Sequence, residues 1–188
     1  PGDTVLVHAG AGGVGSAAIQ LAKAAGATVI ATAGGKEKAA ICRALGADLA
    51  IDYRSEDFVA IVKDRTAGRG ADIIFDPVGG DVFERSTRCI AFEGRILVIG
   101  FASGHFPAAR ANHLLVKNYS VIGVYWGTYS RAEPALTRSA QDELYALYDK
   151  GAIKPLISAA LPMADARAAM TAVASRATTG KVVLTTGR

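Results

Sequence analysis

The chain has 188 residues, 51% of them hydrophobic and 20% charged, with a formal net charge of +4. That length and balance suit one globular domain, or one domain plus a small appendage, with apolar residues enough for a core, and exclude a disordered or fibrous chain. The basic residues are spread rather than run together, which argues against a nucleic-acid partner. The separated Cys42 and Cys89 argue against a CxxC-type zinc site and a disulfide framework.

In chain order, Thr4 to His8 is a β-branched, apolar run bounded by glycine and predicts a buried parallel strand. Gly13 to Ala25, with Val14, Ala18, Leu21, Ala22 and Ala25 near helical spacing, predicts a helix stopped by Gly26. Thr28 to Ala33 predicts a second strand, Lys36 to Leu45 a helix closed by Gly46, and Leu49 to Asp52 a third strand. Ser55 is the expected N-cap of the next helix, with Glu56 and Asp57 in the first turn favouring the helix dipole. Asp72 to Asp76 predicts a fourth strand, Pro77 to Gly80 a loop, and a helix follows to about Ile90. Gly94 precedes a fifth strand over Arg95 to Ile99, and after a loop and a short helix Ser120 to Val124 predicts a sixth. Continuous apolar strands that alternate with helices need cover on both faces. The expected class is therefore α/β: a Rossmann-type doubly wound six-stranded parallel sheet with helices on both faces. Arg131 to Lys150 then predicts one amphipathic helix, Ile153 to Ser158 an extended piece, Ala164 to Arg176 a helix and Lys181 to Leu184 a last strand. This C-terminal helix/strand tail does not read as a seventh βα repeat. It reads as a segment that packs against something else.

Directly after the first strand stands Gly10-Ala11-Gly12-Gly13-Val14-Gly15, which matches G-x-G-x-x-G at Gly10, Gly12 and Gly15. A strand before, a helix after and a second strand at the right distance set it apart from a glycine-rich turn. Gly10 permits the tight turn, Gly12 lets the backbone approach a pyrophosphate, and Gly15 lets the helix lie close on the strand. The helix start then receives the phosphate charge. NAD-selective sites carry an acid at the end of the second strand, about 20 residues past the loop. Here that region reads Ala31-Thr32-Ala33-Gly34-Gly35-Lys36-Glu37-Lys38, with no acid at the strand end, two glycines and two lysines. A 2′-phosphate needs space and cations, so the expected cofactor is NADP(H). One of the two lysines is expected on a solvated helix face.

No residue stands out as a catalytic acid, base, nucleophile or metal ligand. His8 reads as a strand residue with a satisfied ring, His105 and His113 stand outside any constellation, and Ser16 and Ser103 have no base nearby. No apolar run is long enough to span a membrane and no signal peptide opens the chain, so a cytoplasmic setting is expected.

The motif His8 to Gly15, the loop Asp76-Pro77-Val78-Gly79-Gly80, Val98-Ile99-Gly100-Phe101, and the ending Arg176 to Leu184 occur together. With them the chain resembles the medium-chain dehydrogenase/reductase superfamily, in its zinc-independent quinone oxidoreductase branch, which includes zeta-crystallin. The resemblance implies a Rossmann cofactor domain over residues 1–152. Residues 153–188 would complete an N-terminal GroES-like catalytic domain. Pro1 opens almost directly on a strand, so the chain reads as part of a longer protein from which that domain is missing. The resemblance also implies site residues. Gly13 and Val14 would meet the pyrophosphate; Gly34 through Lys38 would surround the 2′-phosphate, with Lys38 at the family's cationic position. Tyr53 would lie beside the adenosine phosphate, and Arg176 would add a second cation. Val78 would touch the ribose and nicotinamide side, and Gly100, Phe101 and Ala102 would line the nicotinamide pocket. Quinone reductases often carry Asn or Ser where this chain has Phe101 and Ala102, which leaves backbone contacts there. Tyr125 and Trp126 would wall the substrate cleft or simply pack. The implied activity is hydride transfer from NADPH to a small-molecule quinone or enone, by a homodimer joined through the sheet edge. A zinc-type alcohol dehydrogenase domain, or a nucleotide-binding module inactive on its own, are the alternatives.

Overall fold

The computed structural model describes residues 1–187, so the last residue of the 153–188 segment lies outside the described residues. Six parallel strands form one sheet: β1 (Thr4–Val7), β2 (Thr28–Ala33), β3 (Leu49–Asp52), β4 (Ala71–Asp76), β5 (Ile90–Val98) and β6 (Ser120–Gly123). Their order is β3-β2-β1-β4-β5-β6. This is the Rossmann order, in which the chain reverses direction across the sheet between β1 and β4; ligands bind outside the carboxyl ends of the strands at such a switch point.

Strand periodicity explains the two-faced core. Val5 and Val7 pack into one layer with Ile19 of α1 (Gly15–Ala24) and Cys42 of α2 (Lys36–Ala44). Leu6, between them, faces the opposite layer with Phe58 and Val62 of α3 (Phe58–Arg65) and Phe83 of α4 (Gly80–Ser86). Leu6, Val7, Ile19, Val29, Ile74 and Ile96 are wholly removed from solvent. Each such side chain stabilises the fold by about 1.5–3 kcal/mol.

Three local expectations are corrected. Asp57, not Ser55, caps α3: its Oδ1 accepts from the Val59 N–H at 3.1 Å. Ser55 instead closes a turn, its N–H donating to the Asp52 carbonyl at 3.0 Å. β5 begins at Ile90, where a helix was expected, because α4 ends at Ser86 and the chain pairs at once with Ala71. The strand then bulges through Glu93, in the left-handed region at φ 57°, before pairing resumes at Arg95. The single helix expected over 131–150 is two, α6 (Trp126–Ala132) and α7 (Pro134–Asp149), with Pro134 at the start of the second. Proline has no N–H and fixes φ, so it opens a helix more easily than it continues one. A further helix, α5 (Ala111–Lys117), precedes β6.

The tail forms its own unit. β7 (Ile157–Pro162) and β8 (Lys181–Thr185) pair in parallel, with a 3₁₀ turn (Met163–Asp165) and α8 (Ala166–Ala174) between them. The extended segment thus falls later than the expected 153–158. It is a βαβ unit after all, but in a separate two-stranded sheet rather than as a seventh strand. No helix among the described residues is long and apolar enough to cross a membrane.

Candidate functional site

The glycine loop leaves β1 at the switch point. Ala9 turns through the left-handed region at φ 51°, its carbonyl accepts from the Gly12 N–H at 2.9 Å, and the Gly10 N–H donates to the Thr32 carbonyl at 2.9 Å. A Cβ at Gly15 would overlap the Ala9 carbonyl, and one at Gly10 would lie 2.8 Å from the Cys42 sulfur. These glycines are therefore demanded by close approach. Gly12 and Gly13 instead face a cleft of about 460 Å³. No side chain caps the start of α1. An uncapped helix start beside a bare glycine backbone presents N–H groups and a positive dipole end, which suits a phosphate. The tail closes the other side of this loop: the Gly180 N–H donates to the Ala11 carbonyl at 2.8 Å. Lys181 Nζ stands 3.0 Å from the point a Cβ on Gly13 would occupy, which adds a cation that the sequence reading missed.

At the end of β2 the chain turns through Gly34 and Gly35, the latter at φ 102°. Gly34 does more than leave room: a Cβ there would lie 2.6 Å from the Tyr53 hydroxyl. Tyr53 reaches across because β3 pairs with β2, setting Asp52 opposite Ala33. That pairing also brings an acid to the strand end that the linear sequence does not show there. Asp52 is engaged within the chain: its Oδ1 accepts from the backbone N–H groups of Gly35 at 2.8 Å and Arg54 at 3.1 Å. Those donors, Gly35 first, hold its carboxyl below the usual range, and the side chain is buried in the turn. The two expected cations meet at this end. Lys38 Nζ donates to the Arg176 carbonyl at 2.7 Å, and Arg176 Nη2 donates to the Ala102 carbonyl at 2.9 Å. Together they link α2, the tail and the loop after β5 across the cleft.

The cleft floor is His8, buried at the end of β1. Ser86 Oγ donates to the Val82 carbonyl at 2.7 Å, so it accepts from His8 Nε2–H at 2.9 Å; Nδ1 then accepts from Thr32 Oγ1–H at 3.0 Å. Burial, helped by the Arg85 charge, lowers the ring's pKa to about 3. The imidazole is thus neutral and committed on both nitrogens, and it is no general acid or base at neutral pH. Phe58 meets it edge-on at 4.9 Å, and Arg85 lies over Phe58 at 4.5 Å.

Among the expected site residues, Gly12, Gly13, Gly34, Lys38, Tyr53, Val78, Ala102 and Arg176 line this one cleft. Gly10 and Gly15 shape it from beneath. Val14, half exposed, Gly100 and Phe101 do not line it. Phe101 stacks edge-to-face on Phe106 at 4.7 Å, and a Cβ on Gly79 would lie 2.8 Å from its ring. Tyr125 and Trp126 do not line the cleft either; Trp126 leans on Tyr129 at 6.3 Å. The lining residues that sequence reasoning missed include the apolar Phe58, Val82 and Val173, the polar His8 and Thr32, and Arg85, which is paired with Asp57; none of them carries a spacing signal. Among the described residues no group of three or more His, Cys, Asp or Glu side chains could hold a metal ion.

Comparison with known proteins gives this cleft its context. Residues 13–141 match the model of the family described as zinc-binding dehydrogenase. A quinone oxidoreductase-like protein 2 homolog from Nematostella vectensis is 42% identical over 99% of the chain and 51% of its own length. The crystal structure of Escherichia coli quinone oxidoreductase complexed with NADPH superposes with a TM-score of 0.88 at 36% identity, over 98% of this chain and 57% of that one. An NAD-dependent alcohol dehydrogenase superposes with a TM-score of 0.84 at 36% identity, over 100% of this chain and 52% of that one. The chain thus spans about half the length of the curated relatives it matches. With its six-stranded Rossmann sheet and glycine loop, the chain belongs to the zinc-binding dehydrogenase family and is a quinone oxidoreductase-like domain of the medium-chain dehydrogenase/reductase superfamily.

Proposed function

We propose that this cleft binds NADP(H), and that the chain is the cofactor-binding half of an NADPH-dependent reductase acting on a quinone or conjugated enone. One observation carries the reading: Gly34, Lys38, Tyr53 and Arg176 line the same cleft as Gly12 and Gly13 of the glycine loop. The phosphate fit rests on the uncapped start of α1 and on a glycine backbone too crowded for side chains at Gly10 and Gly15. Bound NADPH supplies a hydride to an acceptor that is already electron-poor. The chain's own residues do the rest. The glycine backbone takes the pyrophosphate, Lys38 and Arg176 turn from backbone carbonyls to the 2′-phosphate, and Val78 and Ala102 orient the remainder while excluding water.

Two further inferences extend the reading to the whole protein. Residues 153–187 pack against further polypeptide: Ile157, Met163, Met170 and Val173 are more than half exposed on a two-stranded unit too small to be stable by itself. Edge strand β6, with Ile122 exposed, joins a second copy, giving a homodimer in the cytoplasm, where Cys42 and Cys89 stay reduced.

Calorimetric titration of the chain with NADPH and NADH tests the cofactor. NADPH is expected to bind the more tightly. Lys38→Ala should weaken NADPH about tenfold, the low end for a charge-assisted hydrogen bond, and leave NADH unchanged. Equal affinity for both would overturn the reading. The isolated chain should bind without reducing quinone, since the facing half of the cleft is supplied by other polypeptide.

A further inference from the structure

We propose that a second cavity, separate from the nucleotide cleft, is a binding site for an aliphatic carboxylate and steadies the glycine loop when filled. It measures about 480 Å³ and lies between α1, the end of α2 and the segment that enters the tail. Gln20 and Lys23 line it from α1, Leu45 from the end of α2, and Lys154, Leu156 and Ile157 from the tail segment. Its volume falls within the range of about 300–1,000 Å³ of small-molecule sites, and it shares no lining residue with the nucleotide cleft. Among the described residues no carboxylate and no arginine line it, and two lysines do. Lys23 Nζ is shared with Asp48 at 2.9 Å, whereas Lys154 is exposed and among the described residues forms no ion pair. One unshared ammonium beside the aliphatic wall of Leu45, Leu156 and Ile157 matches a single negative charge on a hydrocarbon chain. The guanidinium fork that grips a phosphate with two parallel bonds is absent.

The cavity is built into the fold and tied to the glycine loop. The Lys154 N–H donates to Gln20 Oε1 at 2.7 Å, and Gln20 Nε2 donates to the Ser16 carbonyl at 3.1 Å, so the tail segment is moored to α1 beside the lysine. Two residues on, Leu156 is the partition between the two cavities. Its carbonyl accepts from the Lys181 N–H at 2.7 Å. Gly180, at φ 53°, presses against it so closely that a Cβ there would overlap the Leu156 carbonyl oxygen. Gly180 itself lines the nucleotide cleft, and its N–H donates to the Ala11 carbonyl at 2.8 Å. A chain packed on Leu156 therefore acts, through one residue, on the contact that docks the tail against the loop.

The test is calorimetric titration of the full chain with octanoate, and with octanol as a chain of the same length without the charge. Octanoate is expected to bind about tenfold more tightly than octanol, and Lys154→Gln to remove most of that difference. The Lys154 side chain is exposed, and an unchanged thermal midpoint establishes that the variant folds. Hydrogen exchange supplies the second readout: saturating octanoate should slow the Gly180 amide about fivefold, the low end for coupled sites. No octanoate binding, equal binding of octanol, or an affinity untouched by Lys154→Gln overturns the proposal. So does octanoate binding that is lost in Lys38→Ala, which places the ligand in the nucleotide cleft instead. Bound octanoate with unchanged exchange at Gly180 overturns the action on the loop. None of these measurements involves NADP(H), so this proposal and the cofactor reading fail separately.

Discussion

Buried His8 shows how a residue type suggestive of catalysis serves architecture instead. Its ring ties the end of β1 to Thr32 on β2 and Ser86 on α4, and both nitrogens are used. The pKa, lowered to about 3 by burial and then by Arg85, has a consequence for stability. The folded-state value lies below the unfolded one of 6.5, so protons bind preferentially to the unfolded chain. The stabilisation is complete above that unfolded value and is lost as pH falls toward the folded one, at about 1.4 kcal/mol per pH unit within the window. Chemical denaturation of wild type and His8→Gln at pH 7, 6 and 5 should show the variant less stable at pH 7, by about 1–3 kcal/mol for the broken network. The gap should narrow as the pH drops. A gap constant with pH would mean that His8 is not the titrating group. At the same scale, Asp52 shows what one-dimensional reading misses. The absence of an acid from the end of β2 is legible in the sequence, but the acid delivered by β3 becomes visible only once Ala33 and Asp52 are paired.

At the scale of elements, the strand–loop–helix unit of β1 and α1 was legible because its chemistry is local. A glycine is required where the backbone meets itself, and Gly15 against the Ala9 carbonyl is such a place. Gly15→Ala should destabilise the chain by about 1–3 kcal/mol through overpacking, and should weaken NADPH and NADH alike, since the loop contacts what the two share. Thermal melts together with both titrations would check it; loss of NADPH binding alone would contradict that view of the loop. Boundaries were less legible. The helix expected to reach Ile90 stops at Ser86, because the strand pairing of Ile90 with Ala71 outweighs local preference. The split between α6 and α7 is legible in Pro134, whose missing N–H and fixed φ open a new helix rather than continue the old one. Asp57 displaced Ser55 as the cap of α3 because it also pairs with Arg85 at 2.8 Å, a partner 28 residues away.

At the scale of the whole molecule, the sheet leaves β6 paired on one side only, with Ile122 exposed and Tyr125 and Trp126 just beyond it. If this edge joins two copies, sedimentation of the wild-type chain at micromolar concentration should give a dimer. Ile122→Lys should shift it to monomer without changing the far-ultraviolet circular dichroism, since charge on an edge strand opposes pairing with another edge. A wild type that sediments as a monomer would remove the edge interface. The same scale explains the tail. The sequence already reads it as a segment that packs against something else, and the folded chain shows which of its apolar residues are exposed: Ile157, Met163, Met170 and Val173.

The sequence by itself determined the alternation of strand and helix, the glycine loop and the lysine near the second strand's end. All three are set by neighbours along the chain: side-chain period, backbone crowding, and charge within one turn. The tertiary structure decided the rest. It brought Tyr53 and Arg54 over Gly34, set Arg176 against both Lys38 and Ala102, and left Phe101 outside the cleft. Those contacts join residues from different strands and from the tail. Their geometry depends on sheet register and on the docking of Gly180 against the loop, neither of which any local window of sequence encodes.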